Sequence, residues 1–234
     1  MAELFDKYEK ALRMGTKSSS EGGNVRIAGS GVISGGRYER ISISGSGKVA
    51  GDVEAEEVKV SGSARFMGKV VSEIFECFGS CKINGDVKSK VLRVAGAVSV
   101  HGSVEGGEVK ISGVLKAPSV KANVFHVAGS FRVNTVEAEE AIIKVSKEAE
   151  AGKIKAKRVT VTRSRGETLL SFEKILKYAL QRKALPVLKV EEITSDSLVV
   201  EDVLIEGNVY AKEIVLKGGA DILGSIQGEV KREK

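Results

Sequence analysis

One twelve-residue outline is written three times in this chain. It reads "GDVEAEEVKVSG" at residues 51–62, "GDVKSKVLRVAG" at 85–96 and "GNVYAKEIVLKG" at 207–218. Two looser copies, at 68–79 and 102–113, keep a Gly at each end and a Val at the third position. Self-similarity of this kind indicates a solenoid, in which each copy is one structural unit that stacks on the next.

The full repeat has a period of roughly 16–18 residues, and a fixed period is the signature of a repeat architecture. With Ile41 as position 1, its equivalents are Val58, Phe75, Leu92, Val109, Phe125, Ala141 and Val159. Apolar residues fall at odd positions of each turn, and alternation with a period of two predicts strands with one buried face. Val25 extends the series backward, so about eight turns are predicted across residues 24–163.

Glycines mark the corners of each turn, at positions 5 and 11, where the missing Cβ lets the backbone turn. The predicted corner glycines are Gly45, Gly51, Gly62, Gly68, Gly79, Gly85, Gly96, Gly102 and Gly113. Because a turn of this length has no room for hairpin reversals, each short strand must stack in parallel on its equivalent one turn later. The sequence therefore predicts an all-β solenoid, a parallel β-helix with rungs about 4.8 Å apart.

Other patterns precede and interrupt the repeat. Residues 1–23 are predicted as an amphipathic helix followed by a flexible link, "TKSSSEGG". Residues 164–186 place apolar side chains at spacings of three and four, which predicts one inserted amphipathic helix. The β pattern then resumes over 187–230 as a short second block, followed by a charged tail at 231–234.

The predicted N-terminal helix presents Leu4, Phe5, Tyr8 and Leu12 on one side, with basic residues among the others. Three interpretations remain open for it. It caps one end of the solenoid, it makes peripheral contact with a membrane through residues 2–14, or it packs on a partner helix.

The charge pattern restricts the partners that we expect. The net charge is +6, but 37 basic residues are interleaved with 31 acidic ones, as in "EAEEVKV". Such mixing favours a solvated face over a nucleic-acid-binding stripe. No apolar run approaches the roughly 20 residues needed to cross a bilayer, and no signal-peptide pattern opens the chain. We therefore expect a cytoplasmic protein, with membrane association left open.

No catalytic motif emerges from the sequence. His101 and His126 should both point outward, and neither has a carboxylate at a triad spacing. Cys77 and Cys81 occupy inward positions 3 and 7 of one turn, which predicts buried thiols in preference to a redox or metal pair. The Gly-rich stretch 29–37 lacks the "GK[ST]" of a phosphate-binding loop. We predict no enzymatic activity, no cofactor, no metal and no small-molecule substrate.

The three copies of the outline share one arrangement, in which Gly-Asp-Val or Gly-Asn-Val opens a turn and Val-x-Val-x-Gly closes it. In this the sequence resembles the bactofilins, bacterial polymer-forming cytoskeletal proteins, and their archaeal relatives. The resemblance covers most of residues 24–163 and extends to 187–230. It implies a right-handed β-helix that polymerises end to end without nucleotide into non-polar filaments, often attached to membrane through a short N-terminal segment.

The leading prediction is therefore a non-enzymatic structural protein that associates with itself, as a homopolymer or homo-oligomer, through its terminal rungs. An unpaired strand edge at the end of a β-helix binds another such edge unless it is covered. The candidate edges contain Val25 and Ile27 at one end and Ile222 and Ile226 at the other. The alternative is a monomeric or dimeric binding module whose faces dock a partner protein, with the helices capping the open ends.

Overall fold

The computed structural model describes residues 16–21, 23–146, 148–164 and 185–233, and all regular secondary structure in them is β-strand. The strands are β1 Thr16–Glu21, β2 Asn24–Ile43, β3 Ser46–Val60, β4 Ser63–Phe66, β5 Val70–Cys77, β6 Ser80–Ile83, β7 Val87–Val94, β8 Ala97–Val100, β9 Val104–Ile111, β10 Val114–Val145, β11 Glu148–Arg163, β12 Val187–Glu201, β13 Leu204–Lys217, β14 Asp221–Leu223 and β15 Ile226–Glu233. The cores of the two predicted helices, residues 2–14 and 165–184, lie outside the described residues.

The chain divides into two compact units, Met1–Asn123 and Val124–Lys234. In the first unit, strands β2 to β8 and the start of β10 pair in parallel, each with its equivalent one turn later. In the second unit, the end of β10 and strands β11 to β15 pair in the same way. Both units are parallel β-solenoids, which confirms the predicted fold class. The handedness of the coil stays a prediction.

One turn of the first unit has three sides of five residues, which we call sides A, B and C. In the turn that contains Val58, side A is 57–61, side B is 63–67 and side C is 69–73, with Gly62 and Gly68 between them. Alternate residues on each side point inward, and they are apolar apart from a few serines. The alternation of short apolar residues thus gives a thin core that is filled rung by rung.

The observed register matches the predicted repeat. Val58 pairs with Phe75, Phe75 with Leu92 and Leu92 with Val109, in each case one predicted turn further on. All four side chains are buried, with at most 2% of their surface exposed. In the second unit Ala141 pairs with Val159, its predicted equivalent in the next turn. The position-1 series read from the sequence is therefore correct over these turns.

The glycines at position 5 are required by a close approach of the backbone. The carbonyl oxygen of Gly62 accepts a hydrogen bond from the Ser80 amide one turn later, at 2.9 Å, and that of Gly79 accepts one from Ala97 at 2.9 Å. A Cβ atom built on Gly79 would collide with the carbonyl oxygen of Gly62. The corners of successive turns can stack on one another only if the residue at this position has no side chain.

The acidic or amide residue after the position-11 glycine explains the Gly-Asp-Val signature. The Oδ1 atom of Asp52 accepts a hydrogen bond from the Lys69 amide at 2.8 Å. Asp86 does the same for the Ser103 amide at 2.7 Å. Each side chain therefore satisfies a backbone donor of the next turn at the corner, where the ladder is interrupted.

The segment after the predicted insert continues the existing ladder and is not a separate block. Strand β12 pairs in parallel with β11, and Val159 lies opposite Leu198, although the whole predicted insert separates the two in sequence. Strand β11 ends with side A of one turn and β12 begins with side B, so the predicted insertion falls in sequence at the corner between these two sides.

Both predicted irregular ends contain strand. Thr16–Glu21, in the expected flexible link, forms β1 and pairs antiparallel with the start of β2. Residues 231–233, expected as a charged tail, complete β15. These residues are polar or charged, which suggested a solvated coil, but an exposed edge strand buries little and needs mainly a backbone ladder to pair with.

Candidate functional site

The C-terminal rung leaves an open end. Strand β15 pairs with β13 along one edge, and no described strand pairs with its other edge. All eight of its residues are exposed. Ile226 and Val230 have 41% and 42% of their surface exposed, although they occupy inward columns of the solenoid. Leu223, on the neighbouring β14, is 54% exposed. The last rung therefore combines free backbone groups with uncovered aliphatic side chains.

Ion pairs hold this open rung in place. Lys231 Nζ lies 3.0 Å from a carboxylate oxygen of Glu213, on the preceding turn, and Arg232 lies 3.1 Å from Asp221. The hydrogen bond from Lys231 to Glu213 is the main reason that the pKa of Lys231 is raised above its usual range. Fixing the outer residues of β15 keeps its edge ordered without covering it.

The N-terminal rung is partly covered. Strand β1 lies against the start of β2, with Ser20 opposite Val25 and Ser18 opposite Ile27. The side chains of Val25 and Ile27 are 5% and 0% exposed. The next side of the same rung, from residue 30 to 34, has no partner on its outer edge among the described strands. The two ends of the chain thus present different edges.

The four candidate edge residues are therefore placed differently by the structure. Val25, Ile27 and Ile222 are buried, and only Ile226 is exposed. Val230 and Leu223 were not singled out from the sequence, but the alternation that marked Ile226 also places Val230 inward in the final turn. The candidate helix residues Leu4, Phe5, Tyr8 and Leu12 lie outside the described residues.

The nine candidate corner glycines all lie at corners, but they do not share one cause. At position 5 a Cβ would meet the carbonyl oxygen of the preceding turn's glycine. At position 11 the surroundings vary, and a Cβ on Gly51 would lie 3.3 Å from the nearest atom, the Cα of Gly35. The requirement for glycine is thus stricter at position 5 than at position 11.

The acidic residues that stand out in the sequence form ladders of ion pairs between turns. Arg37 Nε lies 2.9 Å from Glu54, and Arg40 Nε lies 2.7 Å from Glu57, one turn further on in each case. On a later turn Lys88 lies 3.3 Å from Glu105. The "EAEE" run is therefore a row of outward carboxylates, most facing cations of neighbouring turns, as expected for a solvated face.

The described residues contain no cluster of three or more side chains suited to hold a metal. His101 is exposed, as predicted. His126 is half-buried, with its Nε2 atom shielded from solvent. The prediction that His126 faces solvent is therefore only partly correct, because outward residues near a bend are covered by neighbouring side chains.

A groove of about 570 Å³ crosses side C of the first unit. It is lined by ion-paired residues and by Gly106 and Gly107, which leave a dent in the surface where the preceding turn has Ser89 and Lys90. No histidine or cysteine contributes to its wall. Its uncharged polar lining consists of Tyr38, Asn123 and two serines, Ser72 and Ser89.

The two cysteines form a disulfide, Cys77–Cys81, with Cα atoms 6.7 Å apart. The prediction of free thiols was wrong, whereas their predicted burial is correct, at 0% and 2% exposure. Inward positions 3 and 7 lie on either side of the Gly79 corner, so the two side chains converge in the core. Their spacing in the repeat could have indicated this bond.

Among the described residues there is no helix long and apolar enough to cross a membrane. The chain matches no curated protein and no solved structure. Residues 10–105 do match a family model, that of the bactofilins, described as polymer-forming cytoskeletal. This span contains the clearest copies of the repeat and most of the first parallel solenoid. Residues 10–105 are therefore similar to the bactofilin domain.

Proposed function

We propose that this protein is a non-enzymatic cytoskeletal scaffold that assembles with copies of itself end to end, using its terminal rungs and no nucleotide. The observation that carries the proposal is the open C-terminal rung. No described strand pairs with the outer edge of β15, and the aliphatic side chains of Ile226 and Val230, in inward columns of the solenoid, are uncovered there. The family match to polymer-forming proteins supports the same function.

The physical driving force is the completion of both the ladder and the core. A second copy placed against β15 would pair its free N–H and C=O groups, as strand edges do when they are not protected. It would also cover the side chains of Ile226 and Val230. Each is nearly half exposed, so burial of each would contribute about 1 kcal/mol.

Assembly without nucleotide is supported by the structure of the Gly-rich stretch 29–37. It lies within the extended strand β2, and its backbone pairs with β3. A phosphate-binding loop instead needs a turn whose free amides point at the ligand before a helix begins.

Attachment to a membrane through residues 2–14, and location in the cytoplasm, remain predictions that go with this function. An anionic membrane surface would suit the apolar side of the segment and its basic residues.

The proposal is tested by placing a charge on the open rung. Ile226→Arg and Val230→Arg should each shift the protein from assemblies to smaller species in sedimentation velocity and electron microscopy, because a cation would be buried at the joint. Ile74→Arg is the matched control. Ile74 is 38% exposed on the flank of the first unit, opposite Glu57, so an arginine there should leave assembly unchanged.

A protein that sediments as a monomer over a wide range of salt and protein concentration would contradict the proposal. If assemblies persist in both the Ile226→Arg and the Val230→Arg variants, the contact between copies lies elsewhere on the protein. Under the alternative of a binding module, the protein stays small and the ends are covered within one chain.

A further inference from the structure

Side B of the first unit carries a straight column of cations. Its central outward position is occupied in successive turns by Lys48, Arg65, Lys82, Ser99 and Lys116. These residues lie directly opposite one another in a parallel ladder, so neighbours are about 4.8 Å apart along the column. From Lys48 to Lys116 the column spans four steps, or about 19 Å. All four basic side chains are exposed.

The column has no counter-charge within its own unit. None of its four cations forms an ion pair with any residue that the structure describes. The other two sides of the unit behave differently, because several of their cations pair with carboxylates one turn away, as in Lys59–Glu76 and Lys90–Glu73. Like charges directly opposite in a sheet repel each other. A ladder that stacks them is therefore suited to a partner that supplies negative charge.

The rest of side B fits the same kind of partner. Its remaining outward positions, over residues 30–118, carry serine, alanine, asparagine, a histidine and a proline, but no acidic residue. Three exposed aliphatic side chains lie among them: Val32 at 59% exposure, Met67 at 41% and Val114 at 39%. Side B is thus a flat, cationic surface with scattered aliphatic groups.

We propose that side B of the first unit docks flat on an anionic lipid surface. Basic side chains attract the headgroups of an anionic leaflet, and aliphatic side chains beside them can enter the interface. The flat face of an in-register ladder can bring all four cations to a planar surface at once. This site is distinct from the N-terminal segment and does not depend on the assembly proposed above.

Nucleic acid fits the surface less well. Binding to single strands relies on aromatic side chains that stack on bases, and the outward positions of side B hold no Phe, Tyr or Trp and a single His, His101. Recognition of duplex DNA usually places a helix or a ribbon in a groove, and short strands within a continuous ladder cannot enter one.

The test uses the full-length chain and vesicle co-sedimentation. The protein should bind vesicles of phosphatidylcholine containing about 30% phosphatidylglycerol, and not vesicles of phosphatidylcholine alone. Binding should weaken from about 0.1 M to about 1 M salt, as the Debye length falls from about 10 Å to about 3 Å. Each basic residue near such a surface strengthens binding about fivefold, so Arg65→Glu with Lys82→Glu should weaken it at least about 30-fold.

The control changes the net charge by the same amount on other sides. Lys110→Glu with Lys121→Glu alters two exposed lysines of the first unit outside side B, neither of them ion-paired to a described residue, and should change binding less than about threefold. If the charge-reversal variant, Arg65→Glu with Lys82→Glu, fails to fold, the charge-neutralising variant Arg65→Gln with Lys82→Gln replaces it. Residues 1–15 are intact in every variant, so any contribution from them is common to all.

Loss of binding in the side-B variants alone supports the proposal. It is overturned if wild-type protein fails to bind anionic vesicles, binds neutral ones equally, or binds as well after the side-B changes as before. It is also overturned if a duplex DNA oligonucleotide binds through Arg65 and Lys82 while anionic vesicles do not.

Discussion

The central outward position of side B differs sharply between the two units of this molecule. In the first unit its column reads Lys48, Arg65, Lys82, Ser99 and Lys116. In the second it reads Arg132, Glu150, Lys189 and Glu206. Arg132 lies 2.7 Å from Glu150. Both columns lie in parallel ladders, so the fold allows alternating charge at this position and does not require cations.

A second difference lies at the corner after side A. The first unit has glycine there in successive turns, at Gly45, Gly62, Gly79, Gly96 and Gly113. The second has Gly129, then Val145, Arg163 and Asp202, and then Gly218, and Asp202 adopts a φ of 52°. The first unit is therefore the more regular solenoid. Regular corners keep successive turns in register, which is what holds the cationic column straight.

The largest effect is expected at the glycine corner of the first unit. Gly79→Ala should lower the free energy of unfolding by about 3 kcal/mol, because its Cβ would collide with the Gly62 carbonyl oxygen. Gly51→Ala is the control, since its Cβ would lie 3.3 Å from the nearest atom, and it should stay within about 1 kcal/mol of wild type. Urea unfolding measures both. Equal effects at the two sites would contradict the stricter role of position 5.

The disulfide gives the next largest effect, and only the first unit has one. The two cysteines lie four positions apart in sequence, and closing so short a loop stabilises by about 2 kcal/mol in the chain-entropy account. Cys77→Val with Cys81→Ala uses residues found at these positions in other turns, namely Val60 and Ala64. The double variant should unfold at lower urea concentration than oxidised wild type. A reductant should leave the urea midpoint of the double variant unchanged and should lower that of the wild type.

Exchanging the charge patterns of the two columns should change stability in opposite directions. Arg65→Glu makes the first-unit column alternate and should raise the free energy of unfolding by about 0.5 kcal/mol. Glu150→Lys places three cations in sequence in the second unit and should lower it by about 1 kcal/mol. Thermal unfolding at low and high salt measures both, and each difference should shrink at high salt.

A gain in stability for Arg65→Glu together with weaker vesicle binding would show that the cations serve a partner. A loss of stability would mean that the column contributes to folding in a way that its geometry does not explain.

The smallest effect concerns the corner residue that follows position 11. Asp86 accepts hydrogen bonds from the Ser103 amide and hydroxyl, and these lower the pKa of its carboxyl group. Because the folded pKa lies below the unfolded value of about 3.9, the stabilisation is present above that pH and is lost as pH falls through the lowered pKa.

In the second unit Asn208 accepts the equivalent bond from the Ser225 amide, at 3.1 Å, without titrating. Asp86→Asn should therefore fold normally and lose part of the dependence of stability on pH between about 2 and 5. Urea midpoints across this range measure the difference. If stability depends on pH in the same way in Asp86→Asn as in the wild type, that dependence comes from other carboxylates.

Much of the fold follows from the repeat alone. The inward positions, the parallel pairing and the corner glycines could be predicted because side chains of one column recur once in every turn. The cationic column was missed for a related reason. Along the sequence, Lys48 and Arg65 are 17 residues apart, and only superposition of the turns brings them together. The pattern that would have indicated the column is a basic residue at position 8 of four of these five turns.

Other features depend on contacts that a repeat does not encode. Strand β1 is polar and lies outside the periodic pattern, so its pairing with β2 follows from an available edge and not from apolar residues. The exposure of Val230 depends on where the ladder stops, which the alternation of residues does not reveal.

The central claim is that copies of this protein join through the open C-terminal rung. Amide hydrogen exchange measured at low and high protein concentration tests it most directly. The claim predicts that residues 226–233 become more protected as concentration rises, while β6, Ser80–Ile83, within the first unit, exchanges at the same rate throughout. If the protein assembles and exchange in residues 226–233 stays independent of concentration, the claim is contradicted.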